Sequence, residues 1–114
     1  MILRKILMEF GYEVYEAGNG LEALQVMEVI GTGVELALVD WNMPVMNGLE
    51  LVTRLRQNPE LGTLNVVMVT TEAELGHMAS AMEAGANEYV MKPFTKEILR
   101  EKLEMLGMIP LVSV

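Results

Sequence analysis

Residues 35–48 read ELALVDWNMPVMNG. Four apolar residues, Leu36 to Val39, run into a carboxylate at Asp40. The single tryptophan, Trp41, comes next, and Pro44 and Gly48 then break the chain. A short apolar run bounded by turn residues reads as a strand buried on both faces, as parallel sheets require. Working outward, NVVMVT (65–70) repeats the pattern, EYVMK (88–92) gives a last strand, and YEVYEA (12–17) alternates as a short strand does. Helical spacing fills the intervals. Ile2, Leu3, Ile6, Leu7 and Phe10 form one stripe, stopped by Gly11. Asn19 with Glu22 and Asn47 with Glu50 make capping-box starts, the first for a helix to about Ile30. The helix after Asn47 turns Leu51, Val52 and Leu55 inward and ends at Asn58-Pro59. Thr71 with Glu74 starts a helix lined by Leu75, Met78, Ala79 and Met82, and Thr95 starts one with Leu99, Leu103 and Leu106 inward. The predicted order is α-β-α-β-α-β-α-β-α, a doubly wound α/β fold with helices on both faces of a parallel sheet.

The chain has 114 residues, enough for one domain and too few for two. A net charge of −8 argues against a nucleic-acid surface, which needs clustered Lys and Arg. The absence of cysteine excludes disulfides and thiolate metal sites. No apolar run approaches the roughly 20 residues that cross a bilayer. Arg4 and Lys5 interrupt the opening apolar stretch, which makes it a poor signal peptide, so a cytoplasmic location is expected. The 11 methionines fall mostly at core-like spacings and read as gap-fillers.

Function in an open parallel sheet gathers at the carboxyl ends of the strands. The three buried strands end there in Asp40, Thr70 and Lys92. Taken singly, each marks no more than the place where a strand meets solvent. Together they offer a nucleophilic carboxylate, a small donor and a cation, the groups needed to handle a phosphoryl oxyanion.

The stretches VDWNMPVMNG, VTTEA and EYVMKPF resemble the receiver domain of bacterial response regulators, and among them the single-domain, CheY-like chemotaxis regulators. The resemblance runs from residue 1 to about residue 107 and implies a flavodoxin-like sheet. By that resemblance Asp40 is the phosphoacceptor, supplied by a histidine kinase, and the domain is a signalling module rather than an enzyme. Thr70 would bind the phosphoryl group and shift when it arrives, and Lys92 would pair with it across a cis Lys92–Pro93 bond. Tyr89 would be an aromatic switch passing the change to a downstream protein target. Asp40 and the backbone carbonyl of Asn42 would ligate Mg²⁺, and Asn42 and Glu72 would tune the lifetime of the acyl phosphate.

Two departures qualify the match. The family opens on a strand ending in paired acids that hold Mg²⁺, whereas here a helix comes first and no such pair follows an apolar strand. Mg²⁺ binding and phosphotransfer are therefore expected to be impaired. A vacant central strand also leaves backbone groups to satisfy. The apolar tail, residues 108–114, is a candidate replacement strand, docked in its own chain or exchanged in a homodimer. A non-phosphorylatable, receiver-like interaction module is the alternative function. An aspartyl hydrolase is disfavoured, because Asp40 is followed by Trp41 and Asn42 rather than by the D-x-D pattern.

Overall fold

The computed structural model describes residues 2–30, 34–41, 45–71, 76 and 78–107. The elements are α1 (Ile2–Glu9), α2 (Gly20–Ile30), β1 (Leu36–Asp40), α3 (Gly48–Arg56), a 3-10 turn (Pro59–Leu61), β2 (Asn65–Thr70), α4 (Met78–Ala84), β3 (Glu88–Met91) and α5 (Lys96–Met105). Their starts follow local chemistry. Asn19 Oδ1 accepts the Glu22 N–H at 2.9 Å and Asn47 Oδ1 accepts the Glu50 N–H at 2.9 Å. Thr95 Oγ1 accepts the Ile98 N–H at 3.2 Å. Each bond satisfies one donor that a helix start leaves without an intrahelical partner. After α1 the chain turns at Gly11, whose φ of +94° suits a residue without Cβ.

The strands are parallel in the order β1-β2-β3, with Asp40 beside Val69 and Thr70 beside Met91. Side chains alternate between faces. Leu36, Leu38, Val67, Val69 and Val90 turn toward α1 and α5, where Leu7, Phe10, Leu99 and Leu103 are buried. Val39, Val66 and Met68 turn the other way, onto Leu51, Val52 and Leu55 of α3 and Met78 and Ala81 of α4, with Leu24 and Met27 of α2 packed alongside. The doubly wound arrangement is thus present.

Three expectations need correction. Residues 12–17 are extended but make no ladder, because no neighbouring strand among the described residues offers its backbone to them. Tyr12 and Val14 still pack on the α1–α5 cluster, which is the source of the alternation. For the same reason β1 is an outer strand here, and Leu36, Ala37 and Leu38 are only half-buried where β2 is almost wholly buried. On α4 the inward residues are Met78 and Ala81, while Ala79 and Met82 face out. The helix axis runs so that the i, i+3 pair meets α3. The methionines also divide: Met46, Met68 and Met78 are buried, whereas Met8, Met82, Met91 and Met105 are exposed. Of the helix start Thr71–Glu74 and the core position Leu75 only Thr71 is among the described residues, and the tail 108–114 lies wholly outside them.

Candidate functional site

Asp40, the only aspartate of the chain, closes β1. Its carboxylate Oδ2 accepts from Lys92 Nζ at 2.8 Å, with the two side chains 42% and 44% exposed. Lys92 stands one residue past β3, and its backbone N–H donates to the Thr70 carbonyl, which fixes the root of the side chain. Thr70 ends β2 between them. It is fully buried, and its hydroxyl donates to the Thr71 carbonyl at 3.3 Å. The Lys92–Pro93 peptide bond is cis. The structure therefore brings Asp40, Thr70 and Lys92 to one rim, at the ends of three adjacent strands.

In the loop after Asp40, Trp41 is tied to β2 and to the start of α3. Trp41 N–H donates to Val69 O at 3.1 Å, and Gly48 N–H donates to Trp41 O at 2.9 Å. A Cβ on Gly48 would stand 2.7 Å from the Asp40 carbonyl oxygen and 2.9 Å from Met68 Cε. Glycine is required there so that the start of α3 can close on the end of β1. Val45 adopts φ +70° on the same loop and is 76% exposed. A β-branched residue in the left-handed region is strained, and such strain gathers around functional sites.

Tyr89 lies further down β3. Its register with Met68 places it on the α4 face, the face that Thr70 also occupies. The Lys102 ammonium of α5 stands 5.1 Å from its ring centroid. Asn42 and Glu72 lie outside the described residues. For Mg²⁺, an octahedral cage of oxygens is needed. Among the described residues the site contributes one carboxylate, already engaged by a cation, and no group of three or more His, Cys, Asp or Glu side chains is placed to hold a metal. That donor set does not by itself fit the ion.

Sequence reading took Gly48 only as a chain break, gave no role to Val45 and missed Arg56. Arg56 donates to Gly85 O, Leu61 O and Leu64 O at 2.9, 2.9 and 2.7 Å, and to Asn87 Oδ1 at 2.7 Å. Asn87 Oδ1 in turn accepts the Val66 N–H at 2.8 Å. This hub ties the foot of the sheet together, at the end opposite Asp40.

The fold is a parallel α/β sheet with an Asp, a Thr and a Lys at three successive strand ends, and comparison gives it a family. The response regulator receiver domain matches residues 1–104, and the chain belongs to that family. Its members are signalling modules that normally bind Mg²⁺. The chain is 39% identical to chemotaxis protein CheY1 of Helicobacter pylori over 106 residues, 92% of this chain and 85% of that one. It is 40% identical to the CheY homolog of Campylobacter jejuni over 104 residues, covering 90% and 79%. Among solved structures it resembles chemotaxis protein CheY4 of Vibrio cholerae, with a TM-score of 0.83, 30% identity and coverage of 92% and 86%. A putative response regulator from Chloroflexus aurantiacus gives a TM-score of 0.82 at 33% identity, covering 93% and 86%.

Proposed function

We propose that this chain is a chemotaxis-type phosphoacceptor domain, with residues 1–107 forming the receiver and Asp40 taking the phosphoryl group from a histidine kinase. The observation that carries this reading is the 2.8 Å pairing of Lys92 with Asp40 beside the buried end of β2. In the transfer, a carboxylate oxygen of Asp40 attacks the phosphorus of a phosphohistidine. The P–O bond forms as the P–N bond breaks, and the imidazole leaves and takes up a proton. Lys92 then balances the negative charge of the phosphoryl oxygens, and the Thr70 hydroxyl turns from Thr71 O to donate to one of them. Thr70 and Tyr89 share a face, so movement of the hydroxyl opens room for the ring, which signals a downstream protein target. Asn42 and Glu72 are assigned the tuning of acyl-phosphate lifetime on the family resemblance. The site of action is the cytoplasm, where the kinase presents its phosphohistidine.

Mg²⁺ binding is weak in this chain, because no group of three or more His, Cys, Asp or Glu side chains among the described residues is placed to hold the ion, and the Asn42 carbonyl, assigned on the family resemblance, is one neutral ligand. Phosphotransfer is correspondingly slow. The test is Trp41 fluorescence during Mg²⁺ addition followed by beryllofluoride, a phosphoryl mimic. A shallow Mg²⁺ response and a beryllofluoride response that Asp40→Asn abolishes are expected. Tight Mg²⁺ binding overturns the weakened metal site. A flat beryllofluoride response from folded protein overturns the signalling reading and leaves the interaction module.

The half-buried apolar residues of β1 favour a second, compatible reading. An outer strand of Leu36, Ala37 and Leu38 is a template for another extended segment. Residues 108–114 are assigned to it, in the same chain or exchanged in a homodimer. Light scattering across a concentration series should show dimer in the full chain and monomer once 108–114 are removed. If both are monomeric, exchange is excluded. If removal also leaves the hydrogen exchange of the Leu36–Val39 amides unchanged, docking in the same chain falls too.

A further inference from the structure

Lys102 stands on α5, which packs on one face of the sheet, yet it serves a residue on the other. Glu88 is in register with Val67 and turns toward α5, whereas Tyr89, in register with Met68, turns away. Consecutive strand residues point to opposite faces, so a side chain that meets both must pass round the outer edge of β3. Lys102 does so. Its Nζ is 3.3 Å from Glu88 Oε1 and 5.1 Å from the Tyr89 ring centroid. The same carboxylate oxygen accepts the Tyr89 backbone N–H at 3.0 Å. At 25% and 16% exposure, the Lys102–Glu88 side chains are the most shielded ion pair among the described residues, the others all standing above 40%. Shielding strengthens such contacts and reduces their screening by salt.

We propose that Lys102 is a positioning residue for Tyr89: anchored by Glu88, it seats the ring and joins its movement to α5. Leu99 and Leu103 bury α5 firmly in the core, so the helix offers the lysine a fixed base. A displaced ring loses the cation, and α5 loses a contact on its outward side. The local state of β3 is thus presented on the surface of a neighbouring helix. A cation over an aromatic ring favours the seated position by about two- to five-fold in population.

The test uses ¹⁹F NMR of the full chain labelled with 3-fluorotyrosine, which gives one resonance for each of the three tyrosines. Tyr89→Phe assigns the relevant signal. Lys102→Met and Glu88→Gln should each shift or broaden the Tyr89 resonance while leaving those of Tyr12 and Tyr15 in place, and Lys102→Arg should restore it. An unmoved Tyr89 resonance in both Lys102→Met and Glu88→Gln overturns the proposal. The link to signalling rests on the function proposed above, and beryllofluoride separates the two. A ring that answers Lys102→Met but not beryllofluoride leaves the positioning role and removes the signalling reading. A ring that answers beryllofluoride but neither substitution does the reverse.

Discussion

Lys92 and Asp40 lie 52 residues apart in sequence and 2.8 Å apart in the fold. Both side chains remain more than 40% exposed, so the pair contributes little to stability, at most about 1 kcal/mol after solvent screening. Under the proposed function its value is positional, a cation standing where the negative charge of a phosphoryl group would arrive. Lys92→Met should therefore leave the urea midpoint nearly unchanged while removing most of the beryllofluoride response of Trp41. A large loss of stability with the response intact would reverse that assignment.

Val45 gives a prediction of the opposite sign. Its φ of +70° places a β-branched residue where Asn or Gly sits more comfortably, and its side chain is exposed. Val45→Asn should stabilise the fold by about 1 kcal/mol, the order of the left-handed penalty for a residue with a bulky Cβ. Urea denaturation reads it directly. Destabilisation would mean that the side chain makes a contact worth more than the strain.

Much of the fold was legible in the sequence, for a local reason. The runs at 36–40 and 65–70 are short and apolar, the second rich in β-branched residues, as buried strands are, and Asn19, Asn47 and Thr95 cap the helices they announce. Asp40, Thr70 and Lys92 were legible because strand ends in such a sheet share a rim. The stretch at 12–17 misled because alternation reports a half-buried extended chain, and a ladder needs a neighbour that no local pattern supplies. Val45 and Arg56 were invisible, since a backbone angle and a set of distant carbonyls leave no periodic trace.

Arg56 should matter more than its surface-type residue suggests. Four acceptors depend on it, three of them backbone carbonyls. Arg56→Met would leave part-buried acceptors without their donors, at a cost of about 1–3 kcal/mol. The hub lies at the foot of the sheet, so Trp41 fluorescence in the folded variant should still answer beryllofluoride as the parent does. A lost response at full stability would show coupling from the foot to the rim.

Acid sensitivity has a specific contributor. Lys96 Nζ is 2.8 Å from Glu9 Oε2 and ties α5 to α1. The hydrogen bond from Lys96, and then its charge, hold the Glu9 pKa below the ordinary value of 4.5. A carboxyl lowered on folding adds stability that is present above its unfolded pKa and lost as pH falls through the folded one. The melting temperature should thus drop below about pH 4.5 more steeply in the parent than in Lys96→Gln. High salt should shrink the difference, because the pair is exposed. Parallel curves for the two proteins would remove Glu9 from the acid transition.

Gly48 joins the fold to its chemistry at a single backbone position. Its N–H donates to Trp41 O at 2.9 Å, and an added Cβ would meet Asp40 O at 2.7 Å, Met68 Cε at 2.9 Å and Trp41 Cα at 3.0 Å. Met68 is fully buried and the other two atoms belong to the backbone, so the start of α3 has to move away from the end of β1. Overpacking of this kind costs about 1–3 kcal/mol. Gly48→Ala should lower the urea midpoint by that amount and also shift Trp41 emission in the folded state, since the bond that holds Trp41 O is stretched. Loss of stability with unchanged emission would mean that α3 yields as a body and Asp40 keeps its place.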